Sequence, residues 1–126
     1  MAGTVRAVRG AVQVDADEPD LIADATRALV SAMLADNALD PEDVISVLFT
    51  VTPDLVSAYP ATAARTGPLD GVPLMCATEI AVPGGMPRVV RALAHVSVPD
   101  AATSVRHVYL GGAAALRPDL VRTGAR

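Results

Sequence analysis

The sequence predicts one α+β (or α/β) domain, a mixed β-sheet with helices packed on one face. Residues Thr4 to Val14 alternate with a period of two. Leu21, Ile22, Ala25, Ala28, Leu29, Ala32 and Met33 recur at helical spacing, and a β-branched run from Val44 to Val51 is followed by three more strand-like stretches. At 126 residues the chain is the size of a single domain spanning 1–126, with no internal repeat and no low-complexity linker.

In the first strand, Val8, Gly10, Val12 and Val14 share one face and Val5, Ala7, Arg9 and Ala11 the other. Arg9 is therefore a lone charge in a row of small apolar residues, which places its guanidinium on a surface that is buried or shared with a partner. Arg6 lies among the valines, near the strand's start, where it can snorkel outward. The stretch from Asp15 to Pro19 reads as a helix start, with Asp17 or Glu18 at the cap and acidic charge at the positive end of the dipole. The helix ends near Asp36-Asn37, with Asn as a left-handed cap.

Asp40-Pro41-Glu42-Asp43 is a second cap or turn. It leads into Val44–Val51, a run without polar alternation, expected to be the central strand and covered on both faces. Thr52 to Leu55 is expected to form a short helical turn. Tyr59-Pro60 opens another with Ala61, Ala63, Ala64 and Arg65, ended by Gly67-Pro68. Val72 to Ile80 is an apolar strand closing on Glu79, and Pro83-Gly84-Gly85 breaks the chain. Val89 to Val98 and Val105 to Leu110 are the last strands. Gly111 to Leu116 makes a short helical turn, and the tail after about residue 120 is expected to be mobile.

Although 52% of the chain is apolar, its only aromatics are Phe49, Tyr59 and Tyr109. Small aliphatic side chains must fill the core, and pooling surface in an oligomer would add burial. Net charge is −4 and all ten basic residues are arginine, which argues against a nucleic-acid or acidic-membrane partner. The single Cys76 allows no internal disulfide and fits a reducing compartment. Arg6 and Arg9 interrupt any signal-peptide core, and uncharged runs such as Val44 to Pro53 and His107 to Leu116 fall short of the roughly 20 residues of a membrane span. A soluble, cytoplasmic protein is the expectation.

The features that ask for a chemical reason are Arg9 and Arg91 within apolar strands, Glu79 at the end of a third and Tyr109 on a fourth. A buried charge is paired, hydrated or waiting for a ligand, so a structural Arg–Glu pair stands beside a binding site as an explanation. Cys76 has no adjacent His, and His95 and His107 lack metal-ligand spacing, so thiol chemistry and a metal site are poorly supported. Gly84-Gly85 and Gly111-Gly112 lack a phosphate-loop pattern. What remains is an arginine-rich pocket suited to a small di-anion.

Arg9-Gly10-Ala11, Phe49 to Leu55, Tyr59-Pro60-Ala61 with Ala64-Arg65, Val72-Pro73 with Cys76 and Glu79, Gly84-Gly85 with Arg88 to Arg91, Arg106 to Leu110, and Leu116 to Leu120 occur in an order and spacing that resembles the trimeric, mixed α/β class of chorismate mutase. The resemblance implies a homotrimer with a barrel-like core, active sites between subunits, and the [3,3] rearrangement of chorismate to prephenate on the way to phenylalanine and tyrosine. That reaction needs no cofactor. It implies that Arg91 meets the ether oxygen, that Glu79 and Cys76 meet the ring-hydroxyl side, and that Arg9 and Tyr109 hold a carboxylate. Tyr59, Ala61, Thr62, Arg65, Leu74, Met75, Leu116 and Arg117 would line the pocket or its mouth. The chain departs from the family pattern with Tyr59 for Phe, Met75 for Thr, and Thr62 where Lys often sits. In a regular strand Cys76 and Glu79 point to opposite faces, so both reach one pocket only if the strand bends or ends between them. A reactive-imine deaminase of the same trimeric architecture, or a catalytically silent partner protein, are the alternatives.

Overall fold

The computed structural model describes residues 3–117; the tail after residue 120 lies outside them. Strand β1 (Thr4–Gln13) is followed by helix α1 (Pro19–Asp36), a 3-10 turn (Pro41–Asp43), β2 (Val44–Val51) and the short helix α2 (Pro60–Arg65). Then come β3 (Leu74–Thr78), β4 (Val89–Val98), β5 (Val108–Leu110) and a second 3-10 turn (Gly111–Leu116). The five strands form one mixed sheet in the order β3-β2-β4-β1-β5, in which β1–β5 and β2–β3 are parallel and the two pairings of β4 are antiparallel.

Alternation in β1 does what the sequence requires: Val8 and Val12 are buried against α1, while Val5, Ala7 and Arg9 are exposed. The arginine is thus not buried within one chain. Helix α1 packs Ile22, Leu29, Ala32 and Met33 onto the sheet together with Thr26 and Val30, whereas Ala28 is exposed. Thr26 enters the core because its hydroxyl donates to the Ile22 carbonyl at 2.7 Å, satisfying it within the helix. Gly10 lets the helix lie close, since a Cβ there would meet Met33 Sδ at 2.6 Å and Leu29 Cδ1 at 2.8 Å.

Both ends of α1 depart from expectation. Glu18 holds the cap position without a side-chain cap bond, and Asp17 instead accepts the Val56 and Ser57 backbone N–H groups, each at 3.1 Å. Asn37 ends the helix at φ −112°, and the left-handed residue is Ala38 at φ 51°. The Asn37 amide is engaged elsewhere: it donates to the Met33 and Arg106 carbonyls at 2.8 and 2.9 Å.

The central strand is β4, not Val44–Val51. In β2, Val47, Phe49 and Val51 face the helices, while Ile45 and Leu48 are exposed, so within one chain only one face of this strand is covered. The helices lie on one side and leave the other open, and the apolar residues there cannot be buried by this chain alone. Thr52–Leu55 forms a hydrogen-bonded turn rather than helix, with Leu55 N donating to Thr52 O at 3.0 Å. β5 is shorter than the expected Val105–Leu110, because the pairing with β1 begins only at Val108.

Candidate active site

Cross-strand register builds one row over the open face of the sheet. Ala77 on β3 pairs with Thr50 on β2, Thr50 with Arg91 on β4, Arg91 with Ala11 on β1, and Ala11 with Tyr109 on β5. Directly opposed residues share a face, and Arg9 shares it through its two-residue offset from Ala11. Ala11, small and buried, stands between Arg91 and Tyr109 in that row. Arg9, Leu48, Thr50, Arg91, Leu93 and Tyr109 line an open groove of ≈ 280 Å³.

Glu79 joins this group because it lies two residues beyond Ala77 and so on the same face, just past the end of β3 at Thr78. Its N–H donates to the Val51 carbonyl at 2.8 Å, which carries the pairing with β2 one residue further and keeps the side chain over the open face. There Glu79 Oε2 accepts from Thr50 Oγ1 at 2.6 Å and from Arg91 Nε at 2.8 Å. The Arg–Glu pair expected as a structural explanation therefore exists, inside the groove cluster. With side-chain exposures of 41% for Arg91 and 19% for Glu79, it contributes at most about 1 kcal/mol to stability. Its consequence is geometric: Nε is anchored and, among the described residues, the two terminal guanidinium nitrogens have no protein hydrogen bond.

The start of β4 is set by a frame of polar contacts. Arg88 takes φ 55°, donating its N–H to Asp54 Oδ2 at 2.9 Å and its Nε to the Val14 carbonyl at 2.8 Å. Val89 N donates to the buried Thr52 hydroxyl at 3.0 Å. Tyr109 is 6% exposed and packs with Ala11, Val89 and Ala113, with Met86 and Leu116 against them. Arg117 follows, half-buried.

The other candidate residues are not brought to this groove. Cys76 pairs with Phe49 and, with Leu74, faces the helices and packs against the main core; Met75 faces the open side and is exposed. Cys76 and Tyr59 line a separate groove of ≈ 520 Å³ at the β3 edge, with Val51, Leu55, Ala77 and Thr78. Ala61 is half-buried on α2, and Thr62 and Arg65 are exposed there. The loop before Tyr59 is tied down by Asp17. Hydrogen bonds from Ser57, its side chain foremost, together with the N–H of Val56, hold that carboxyl below its ordinary value despite some desolvation. Thr50 is the residue that sequence reasoning missed. The signal was its hydroxyl on the face of β2 opposite Phe49, which it shares with Ser46 and Leu48.

The family model for chorismate mutase type I matches residues 5–120. The chain belongs to that family. It is 49% identical over 117 residues to chorismate mutase AroH of Thermus thermophilus, covering 92% of this chain and 96% of the relative. It is 37% identical over 122 residues to chorismate mutase AroH of Bacillus subtilis, covering 94% of each. Among solved structures, a chorismate mutase from Clostridium thermocellum superposes with a TM-score of 0.84 at 40% identity, covering 87% of this chain and 98% of that one. The chain is thus a chorismate mutase, an isomerase of aromatic amino acid biosynthesis, and the match favours this over the imine-deaminase reading. No helix among the described residues is long and apolar enough to cross a membrane.

Proposed function

We propose that this mutase works in the cytoplasm as a homotrimer, with each active site shared between two copies. The observation that carries the reading is the division of the candidate residues within one chain. Arg9, Glu79, Arg91 and Tyr109 sit on the open sheet face, whereas Tyr59 and Cys76 line the β3-edge groove. A site using both sets is completed by a second copy. Exposed Val5, Ile45, Leu48, Val56, Met75 and Ile80 supply the apolar surface that such an assembly buries.

Conversion of chorismate to prephenate breaks one C–O ether bond as one C–C bond forms, with no proton, electron or nucleophile exchanged. The protein's task is to fold the substrate and to match the charge that develops. Arg91, anchored through Nε, donates a terminal N–H to the ether oxygen as negative charge builds there. A guanidinium stays protonated in a dry site, so this donor is always charged. Glu79 fixes the guanidinium plane and meets the ring-hydroxyl side, with Cys76 of the adjoining copy beside it. Arg9 and Tyr109 hold a carboxylate. Tyr59, Ala61, Thr62, Arg65, Leu74 and Met75 of that copy, with Leu116 and Arg117, form the walls and mouth.

Loss of chorismate's ultraviolet absorbance, with the product confirmed by acid conversion to phenylpyruvate, measures the activity, and light scattering gives the mass of the assembly. Arg91→Ala co-expressed with Met75→Arg tests the sharing. Each variant alone is expected to be nearly inactive, and mixed assemblies contain some intact sites and recover activity. No recovery from a folded mixed assembly would contradict a shared site.

A further inference from the structure

β5 carries Tyr109 into the groove, yet it is a three-residue edge strand paired in parallel with β1 only, from Gly10–Val108 to Val12–Leu110. So short a parallel pairing is weak by itself. The residues before it make no ladder bonds, and side chains take their place. Asn37, at the end of α1, acts as a substitute strand: its Oδ1 accepts the Arg106 N–H at 2.6 Å and its Nδ2 donates to the Arg106 carbonyl at 2.9 Å. One residue on, His107 Nδ1 accepts the Arg9 backbone N–H at 3.0 Å and continues the β1 pairing by a side chain. Farther back, Arg6 Nη1 donates to the Thr103 carbonyl at 2.6 Å.

We propose that Asn37 and His107 form a clasp that positions β5, and with it Tyr109, for the reaction; they are positioning residues that do not touch substrate. His107, just before β5, ties the strand's approach to Arg9 itself, so this bond adds to the short β1–β5 ladder in holding relative to each other the two groups proposed to hold one carboxylate. This rests on the assignment of Arg9 and Tyr109 given above. The geometry also fixes the ring's state, because Nδ1 accepts only when it carries no proton. Protonation would set N–H against N–H. The charged groups acting on the ring are all cationic, Arg9 and Arg6 of β1 and Arg117 beyond the second 3-10 turn, while α1 presents the neutral Asn37 amide next door. Burial first, and these arginines second, hold the imidazole below its ordinary value, so it is the neutral acceptor at pH 7.

The test compares His107→Phe, which removes the acceptor, with His107→Asn, whose Oδ1 can take the same N–H, in the full-length protein. His107→Phe is expected to raise KM for chorismate by about tenfold with a smaller change in kcat, and His107→Asn to restore KM to within about threefold of the parent. The parent's KM should also climb as pH falls from the ordinary histidine value of 6.5 through the lower folded-state value, and His107→Asn should lack that part of the rise. Unchanged KM in His107→Phe, or His107→Asn no better than His107→Phe, overturns the proposal. Hydrogen exchange at the Arg9 and Tyr109 amides needs no substrate. Faster exchange in His107→Phe but not in His107→Asn supports the clasp even if Arg9 and Tyr109 prove to have no role in substrate binding, and unchanged exchange overturns it.

Discussion

Replacing Arg91 by Lys keeps a positive charge and a long side chain on β4, and it isolates what the anchored guanidinium contributes. Arg91 gives Nε to Glu79 at 2.8 Å, and among the described residues its terminal nitrogens make no protein hydrogen bond, which leaves them for the proposed contact with substrate. Lysine has one nitrogen on a flexible stem. It can meet Glu79 or reach toward the proposed position of the ether oxygen, but a single ammonium cannot be anchored by one while aimed in a fixed plane at the other, as a guanidinium can. Loss of a preorganised donor at a site of developing charge costs about 2.7–4 kcal/mol, or roughly 10²–10³ in kcat. The effect on folding is small by comparison, because the ion pair is part-exposed and worth at most about 1 kcal/mol. Steady-state loss of chorismate absorbance, alongside thermal unfolding, separates the two. The expected result is a melting temperature within a few degrees of the parent and kcat lower by two orders of magnitude or more. A kcat for Arg91→Lys within threefold of the parent would refute the idea that the fixed guanidinium geometry, beyond its charge, drives the reaction.

Thr50→Val removes the hydroxyl that Glu79 Oε2 accepts at 2.6 Å while leaving the strand apolar, and it is expected to lower kcat about tenfold with KM nearly unchanged, checked in the same assay. Thr62→Lys, on the exposed side of α2, is expected to lower KM by adding a cation at the mouth for a di-anionic substrate, with kcat little altered; steady-state kinetics at low and high salt would show it. Phe49→Ala empties a fully buried site in the main core and is expected to destabilise by about 3–5 kcal/mol in urea unfolding. For pH, the folded-state value of His107 lies below its ordinary 6.5. The unfolded chain therefore takes up this proton first, and the stability present above pH 6.5 falls as pH drops from there toward the depressed value, then levels. Asp17 adds a loss only below its own ordinary value of 3.8, as pH falls through its depressed folded value. Urea midpoints at pH 7.5 and 5.5 should differ in the parent and less so in His107→Asn.

Most of the elements follow from local pattern, because period and punctuation are properties of the chain itself. The alternation of Thr4–Val14 and Val89–Val98, the helical stripe from Leu21 to Met33 and the proline starts at Pro19, Pro41 and Pro60 name their elements without reference to anything distant. The parity argument that separated Cys76 from Glu79 was likewise contained in the sequence, since side chains alternate in a strand. Resemblance along 5–120 named the family and the substrate, a correspondence that no single spacing carries.

Tertiary structure decided what depends on which strands are neighbours. That β4 rather than β2 is central, and that Arg91 stands between Thr50 and Ala11, are facts of register between segments tens of residues apart. Thr50 became a candidate site residue only through that register. Asn37 read as a left-handed cap, but its amide found Arg106, 69 residues later, and the strain of positive φ passed to Ala38. The apolar run of β2 promised two covered faces. The fold covers one and leaves Ile45 and Leu48 exposed, since hydrophobicity says that a face is to be buried but not by which chain.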